Sequence, residues 1–128
     1  MGELITFLVI ICGLTCIIEM IPLLFLKRRG KWIISSFLCN VITNPIMNII
    51  LAILAVYVTN LAVYICIVIA LEIAVILFEA FIFYNVMDES KRRCIIVSIV
   101  INTCSFLIGF LLAYAIQIAD QSNSYPMI

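Results

Sequence analysis

Four long apolar runs, Leu4–Leu26, Trp32–Val58, Leu61–Val86 and Cys94–Ile118, fill most of the chain, and the polar residues inside them recur at helical spacing. Each run meets or exceeds the ~20 residues with which an α-helix crosses about 30 Å of hydrocarbon. The pattern predicts an all-α polytopic membrane protein: one domain, an antiparallel four-transmembrane-helix bundle with a polar interior. Residues 119–128 are left as a short polar external tail.

The connections between the runs are short and chemically distinct. Lys27, Arg28, Arg29 and Lys31 separate the first two, and Met87-Asp88-Glu89-Ser90 followed by Lys91, Arg92 and Arg93 separates the last two. The positive-inside rule therefore places segments 27–31 and 87–93 in the cytoplasm and both termini outside. Between the second and third runs only the neighbourhood of Thr59-Asn60 is available, so those helices are expected to form a tight external hairpin. The basic residues follow the first run rather than precede it, and no small-residue cleavage site comes after it. A signal peptide is therefore not the expected reading of that run.

With 67% hydrophobic and 11% charged residues and a mean hydropathy of +1.37, the composition lies well outside the soluble range. The formal charge is zero, yet all seven basic residues fall in the two connections. Those clusters are expected to be topology signals and lipid-headgroup contacts, not nucleic-acid sites, since neither carries a glycine-rich phosphate-binding pattern. Of six cysteines, Cys12, Cys16, Cys39, Cys66 and Cys104 lie inside the runs and Cys94 at a boundary, so apolar packing is the expected role rather than a disulfide framework. The chain has no histidine, and no cofactor is implied.

Each run carries one polar stripe. In the first, Cys12, Thr15, Cys16 and Glu19 share a helical face, and Pro22 withholds a donor from the carbonyl of Ile18. The second places Asn40, Asn44 and Asn48 four residues apart, with Thr43 beside them and Pro45 freeing the carbonyl of Val41. The third contributes Glu72 and Glu79, two turns apart; the fourth has Ser98, Asn102 and Ser105, then Gly109. Counted from the basic connections, Glu19, Asn40, Glu79 and Asn102 fall at one depth, with Asn44 and Glu72 closer to the membrane midplane. Two tiers of polar groups are predicted.

Ionisable groups at membrane depth are costly and mark functional sites by default. A carboxyl group removed from water, beside neutral amides or other carboxyls, favours its protonated form unless a cation binds. Carboxamides supply neutral oxygens and N–H donors that suit either a partly dehydrated cation or a neighbouring helix. Glu19, Glu72, Glu79, Asn40, Asn44, Asn48 and Asn102 are therefore the candidate residues of a site for a cation, a proton or a cationic small molecule, in a small transporter or transporter subunit. The identity of any metal ion is open.

Two other classes compete. The same residues could be interhelical contacts in a non-catalytic accessory subunit, though Asn, Gln, Ser or Thr would serve that purpose without a titratable cost. An intramembrane enzyme ranks third, because the chain offers no nucleophile with an attendant base, no HExxH motif and no paired aspartates. The expected partners are the lipid bilayer and either a second copy or a larger membrane protein.

The four short spans with a glutamate embedded in the first resemble, in architecture, the small multidrug resistance transporters, which exchange protons for lipophilic cations. The basic bias of the connections, the additional glutamates and the Asn44-Pro45 pair depart from that pattern, so no residue roles follow from it. Thr43-Asn44-Pro45 with Asn48, Glu72 with Glu79, and Asn102 with Ser105-Phe106 and Gly109 also resemble a layout in small uncharacterised prokaryotic four-span membrane proteins. That likeness implies a prokaryotic cytoplasmic membrane and conveys no activity.

Overall fold

The protein is described by a computed structural model over residues 2–123. All four elements in that range are helices: α1 (Gly2–Leu23), α2 (Arg29–Tyr57), α3 (Leu61–Val86) and α4 (Lys91–Asn123). Three segments, Arg29–Tyr57, Leu61–Val86 and Lys91–Leu112, are long and apolar enough to cross a membrane, while the apolar helical stretch of α1, Leu8–Leu23, is shorter. The bounds of α3 are those of the third apolar run. By contrast α4 extends at both ends of its run, so residues 119–123 are helical; residues 124–128 of the expected tail lie outside the described range.

Local chemistry explains these boundaries. After Pro22 the amides of Leu24, Phe25 and Leu26 reach back three residues to Ile21, Pro22 and Leu23, tightening the helix end into a turn. The turn closes at Arg28, whose backbone is left-handed (φ 56°), and its carbonyl accepts from the amide of Lys31 at 3.1 Å. A non-glycine residue there costs about 1–2 kcal/mol, which the packing of the helices it joins must offset. At the start of α3, Asn60 Oδ1 accepts from the amides of Ala62 (3.0 Å) and Val63 (3.2 Å), a cap contributing about 1 kcal/mol. Ser90 accepts from the amide of Arg93 in the same way at the start of α4 (3.3 Å), which draws the three basic residues into its first turn.

Each helix packs against two others: α1 touches α2 and α4, and α3 touches α2 and α4. Next to the two basic connections the interior is filled by Leu23, Trp32, Phe83, Met87, Cys94, Val97 and Ile101. The Trp32 and Phe83 rings meet edge to face, 5.0 Å between centroids, a favourable arrangement of their quadrupoles. Further from those connections the buried positions become polar: Glu19, Ser36, Asn40, Glu79, Ser98 and Asn102. Large apolar side chains such as Ile17, Ile53, Leu77, Phe81 and Leu111 point outward. An exterior of this kind suits lipid, not water.

Candidate functional site

Two carboxyl groups are held in the same manner. Glu19 of α1 is 1% exposed, and its Oε2 accepts from Ser36 Oγ of α2 (2.8 Å) and from Asn40 Nδ2 one turn further along. Glu79 of α3 is 2% exposed, and its Oε2 accepts from Ser98 Oγ of α4 (3.0 Å) and from Asn102 Nδ2, again one turn further along. Serine and asparagine four residues apart lie on one face of a helix, which is why both reach a single carboxyl on the neighbour. A third contact joins α4 to the first group, Ser105 Oγ to Glu19 Oε1 at 3.1 Å. The residues expected at one depth, Glu19 with Asn40 and Glu79 with Asn102, are thus hydrogen-bonded in pairs.

The serines in these clasps constrain where protons sit. A hydroxyl has one hydrogen to give. Ser98 Oγ is also 2.8 Å from the carbonyl of Ile76, and Ser105 Oγ is also 3.0 Å from the carbonyl of Asn102. A carbonyl can only accept, so whenever the serine hydrogen goes to it, the carboxyl must supply the hydrogen of the remaining contact. Turning the hydroxyl toward the carboxyl lets the same geometry hold a carboxylate. Each clasp can therefore accommodate either protonation state by rotating one hydroxyl.

Beyond the clasps, away from the basic connections, lies a cavity of about 290 Å³. Glu19, Asn40 and Asn102 border it on the clasp side, and Glu72, Asn44 and Asn48 line its walls with Thr15, Thr43, Ser105, Phe106 and Phe110. Six of the seven candidate residues are brought together here. Glu79 does not line the cavity and connects to it through Asn102. Glu19 and Glu72 border the same cavity.

Glu72 differs from its two counterparts. It is half-buried, and among the described residues its carboxyl has no hydrogen-bond partner, while no Lys or Arg lines the cavity. Asn48 Nδ2 donates to both the carbonyl (2.9 Å) and Oδ1 (2.7 Å) of Asn44. That pairing uses one amide against the other and leaves Asn48 Oδ1 and Asn44 Nδ2 without a side-chain partner among the described residues. Thr43 and Thr15 bond back to the carbonyls of Cys39 (2.9 Å) and Ile11 (3.0 Å) in their own helices.

Ser36 is the participant that the stripe pattern missed. It sits one turn before Asn40 on the same face, so extending the asparagine periodicity toward the basic connection would have found it. The six cysteines are all unpaired thiols, and no group of metal-ligating side chains occurs among the described residues. No family model, curated protein or solved structure matches the chain.

Proposed function

We propose that this is a four-span integral membrane protein, an antiparallel bundle with a polar interior, whose cavity binds a cation, a proton or a cationic small molecule as a small transporter or transporter subunit. In this reading α1 also crosses the membrane: its 22 residues rise roughly 33 Å, enough for the hydrocarbon core. Segments 27–31 and 87–93 face the cytoplasm and both termini lie outside, in keeping with the basic residues. Four helices seldom enclose a path alone, so a second copy or a larger membrane partner completes the assembly.

One observation carries the reading: the half-buried carboxyl of Glu72, without a protein partner among the described residues, lines a cavity with four asparagines and no basic residue in its lining. A carboxylate partly withdrawn from water is stabilised by a proton or a bound cation, and the lining offers no basic side chain to do it instead. Asn44 and Asn48 would orient the ligand. Glu19, Asn40 and Asn102 would form the floor beneath it, and Glu79 would support that floor from behind.

Reconstituted protein provides the test. Binding and flux of labelled rubidium, calcium and methylammonium ions are measured across pH for the wild type and for Glu19→Gln, Glu72→Gln and Glu79→Gln. The reading expects at least a tenfold loss of binding in Glu72→Gln with assembly intact. Wild-type protein that neither binds nor moves any of these ions, with Glu72→Gln indistinguishable from it, would sink the reading.

A second reading is favoured by the clasps themselves. Glu19 and Glu79 are hydrogen-bonded to polar residues of adjacent helices, as interhelical contacts in an accessory subunit would be. Its signature would be loss of assembly in Glu19→Gln and Glu79→Gln without any cation-dependent property to lose.

A further inference from the structure

The two clasps share more than their chemistry. The serine and asparagine follow their glutamate by 17 and 21 residues in the first, and by 19 and 23 in the second, so the same hairpin recurs with a connection two residues longer. Four residues after each glutamate comes a fully buried apolar side chain, Leu23 and Phe83. The buried positions of α2 are Trp32, Ser35, Ser36, Cys39 and Asn40, and those of α4 at the same spacing are Cys94, Val97, Ser98, Ile101 and Asn102. Spacing of that sort is shared by many core-facing helices. What is specific is serine third, asparagine fifth, and a glutamate in the same register on the preceding helix. Exchanging α1 with α3 and α2 with α4 also leaves the pattern of touching helices unchanged.

We infer that the chain is one helical hairpin used twice, and that its carboxyl groups divide accordingly: Glu19 and Glu79 are the repeated lock between helices, while ligand specificity lies where the two hairpins differ. The position of Glu72 on α3 is occupied by Cys12 on α1, whose thiol contacts the carbonyl of Asn40 at 3.7 Å. The positions of Asn44 and Asn48 on α2 are occupied by Phe106 and Phe110 on α4, and all four line the cavity. Symmetric residues therefore make the floor, and asymmetric ones make the walls. This second half rests on the cavity being the ligand site proposed above.

The asymmetry has a physical sense. A lock that joins the two helices of a hairpin works equally well in both hairpins, so nothing opposes keeping it in duplicate. A single bound ligand cannot contact two equivalent walls in the same way, and a second carboxyl at position 12 would add a buried charge to be compensated. One free carboxyl, two amides on one side and two aromatic rings on the other form a site with a defined orientation.

A hydrophobic carbodiimide, which adds covalently to accessible carboxyl groups within membranes, separates the two classes when the intact protein in lipid nanodiscs is labelled and its peptides are analysed by mass spectrometry. The adduct is expected on Glu72 and at least tenfold less on Glu19 and Glu79. In Glu72→Gln the adduct is expected to be lost, with Glu19 and Glu79 not taking it up. Thermal unfolding supplies an independent arm, since Ser36→Ala and Ser98→Ala should lower the midpoint by amounts within a factor of two of each other. Preferential labelling of Glu19 or Glu79, or an effect confined to one serine, would overturn the inference. Failure of rubidium, calcium and methylammonium to slow labelling of Glu72 would instead count against the binding site and the specificity half, leaving the repeated lock standing.

Discussion

Glu19 and Glu72 are both glutamates inside apolar helices and both border the same cavity, yet their surroundings assign them different work. Glu19 is saturated: two donors from α2 and a hydroxyl from α4 close around it. Glu72 lines the same cavity as Asn44 and Asn48 without a bond to either. A titratable residue at membrane depth is thus only half of a functional signal. The other half is whether the protein has already satisfied it.

Breaking the packed end of the bundle should have the largest effect on stability. Trp32→Ala removes the ring that meets Phe83 and is expected to cost on the order of 3 kcal/mol, read as a lower midpoint in denaturant titration of the protein in mixed micelles. Glu19→Ala strands Ser36 and Asn40 and leaves Ser105 only the carbonyl of Asn102, and a loss of about 2 kcal/mol is expected in the same titration. Glu79→Ala, with its fewer partners, should cost somewhat less. A cost near zero for both would mean that the clasps are not locks.

Much of this was visible in the chain before any coordinates. The four helices and the bounds of α3 follow from apolar run length, and counting residues inward from the basic connections pairs Glu19 with Asn40 and Glu79 with Asn102, which are hydrogen-bonded. The repeat was not visible, because equivalent buried positions carry different side chains: Trp32 matches Cys94, a large residue against a small one, and Leu23 matches Phe83, an aliphatic against an aromatic. A shared core accepts unlike partners at such places, which erases identity while preserving geometry. Ser36 was missed for a different reason: it continues the four-residue spacing of Asn40, Asn44 and Asn48, but as a serine beside Ser35 rather than a fourth asparagine. Which glutamate remains unsatisfied depends on side-chain contacts between helices, and spacing along one helix does not reveal it.

Smaller perturbations sharpen the contrast. Ser36→Ala deletes one neutral donor while Asn40 stays on the carboxyl, so a loss of about 1 kcal/mol is expected from the same titration. Glu72→Gln removes no protein–protein hydrogen bond among the described residues and should change stability by about 0.5 kcal/mol or less. A large destabilisation in Glu72→Gln would show a structural role for this residue and blur the distinction from Glu19.

The central claim is that Glu72 is the carboxyl free to exchange a proton with a ligand. Infrared difference spectroscopy of the reconstituted protein tests it most directly, by following the protonated-carboxyl band as pH is cycled with and without added rubidium, calcium or methylammonium. A band that responds to both pH and cation in the wild type, persists in Glu19→Gln and Glu79→Gln, and vanishes in Glu72→Gln is the predicted result. A cation-responsive band that survives Glu72→Gln and disappears with Glu19→Gln or Glu79→Gln would contradict it.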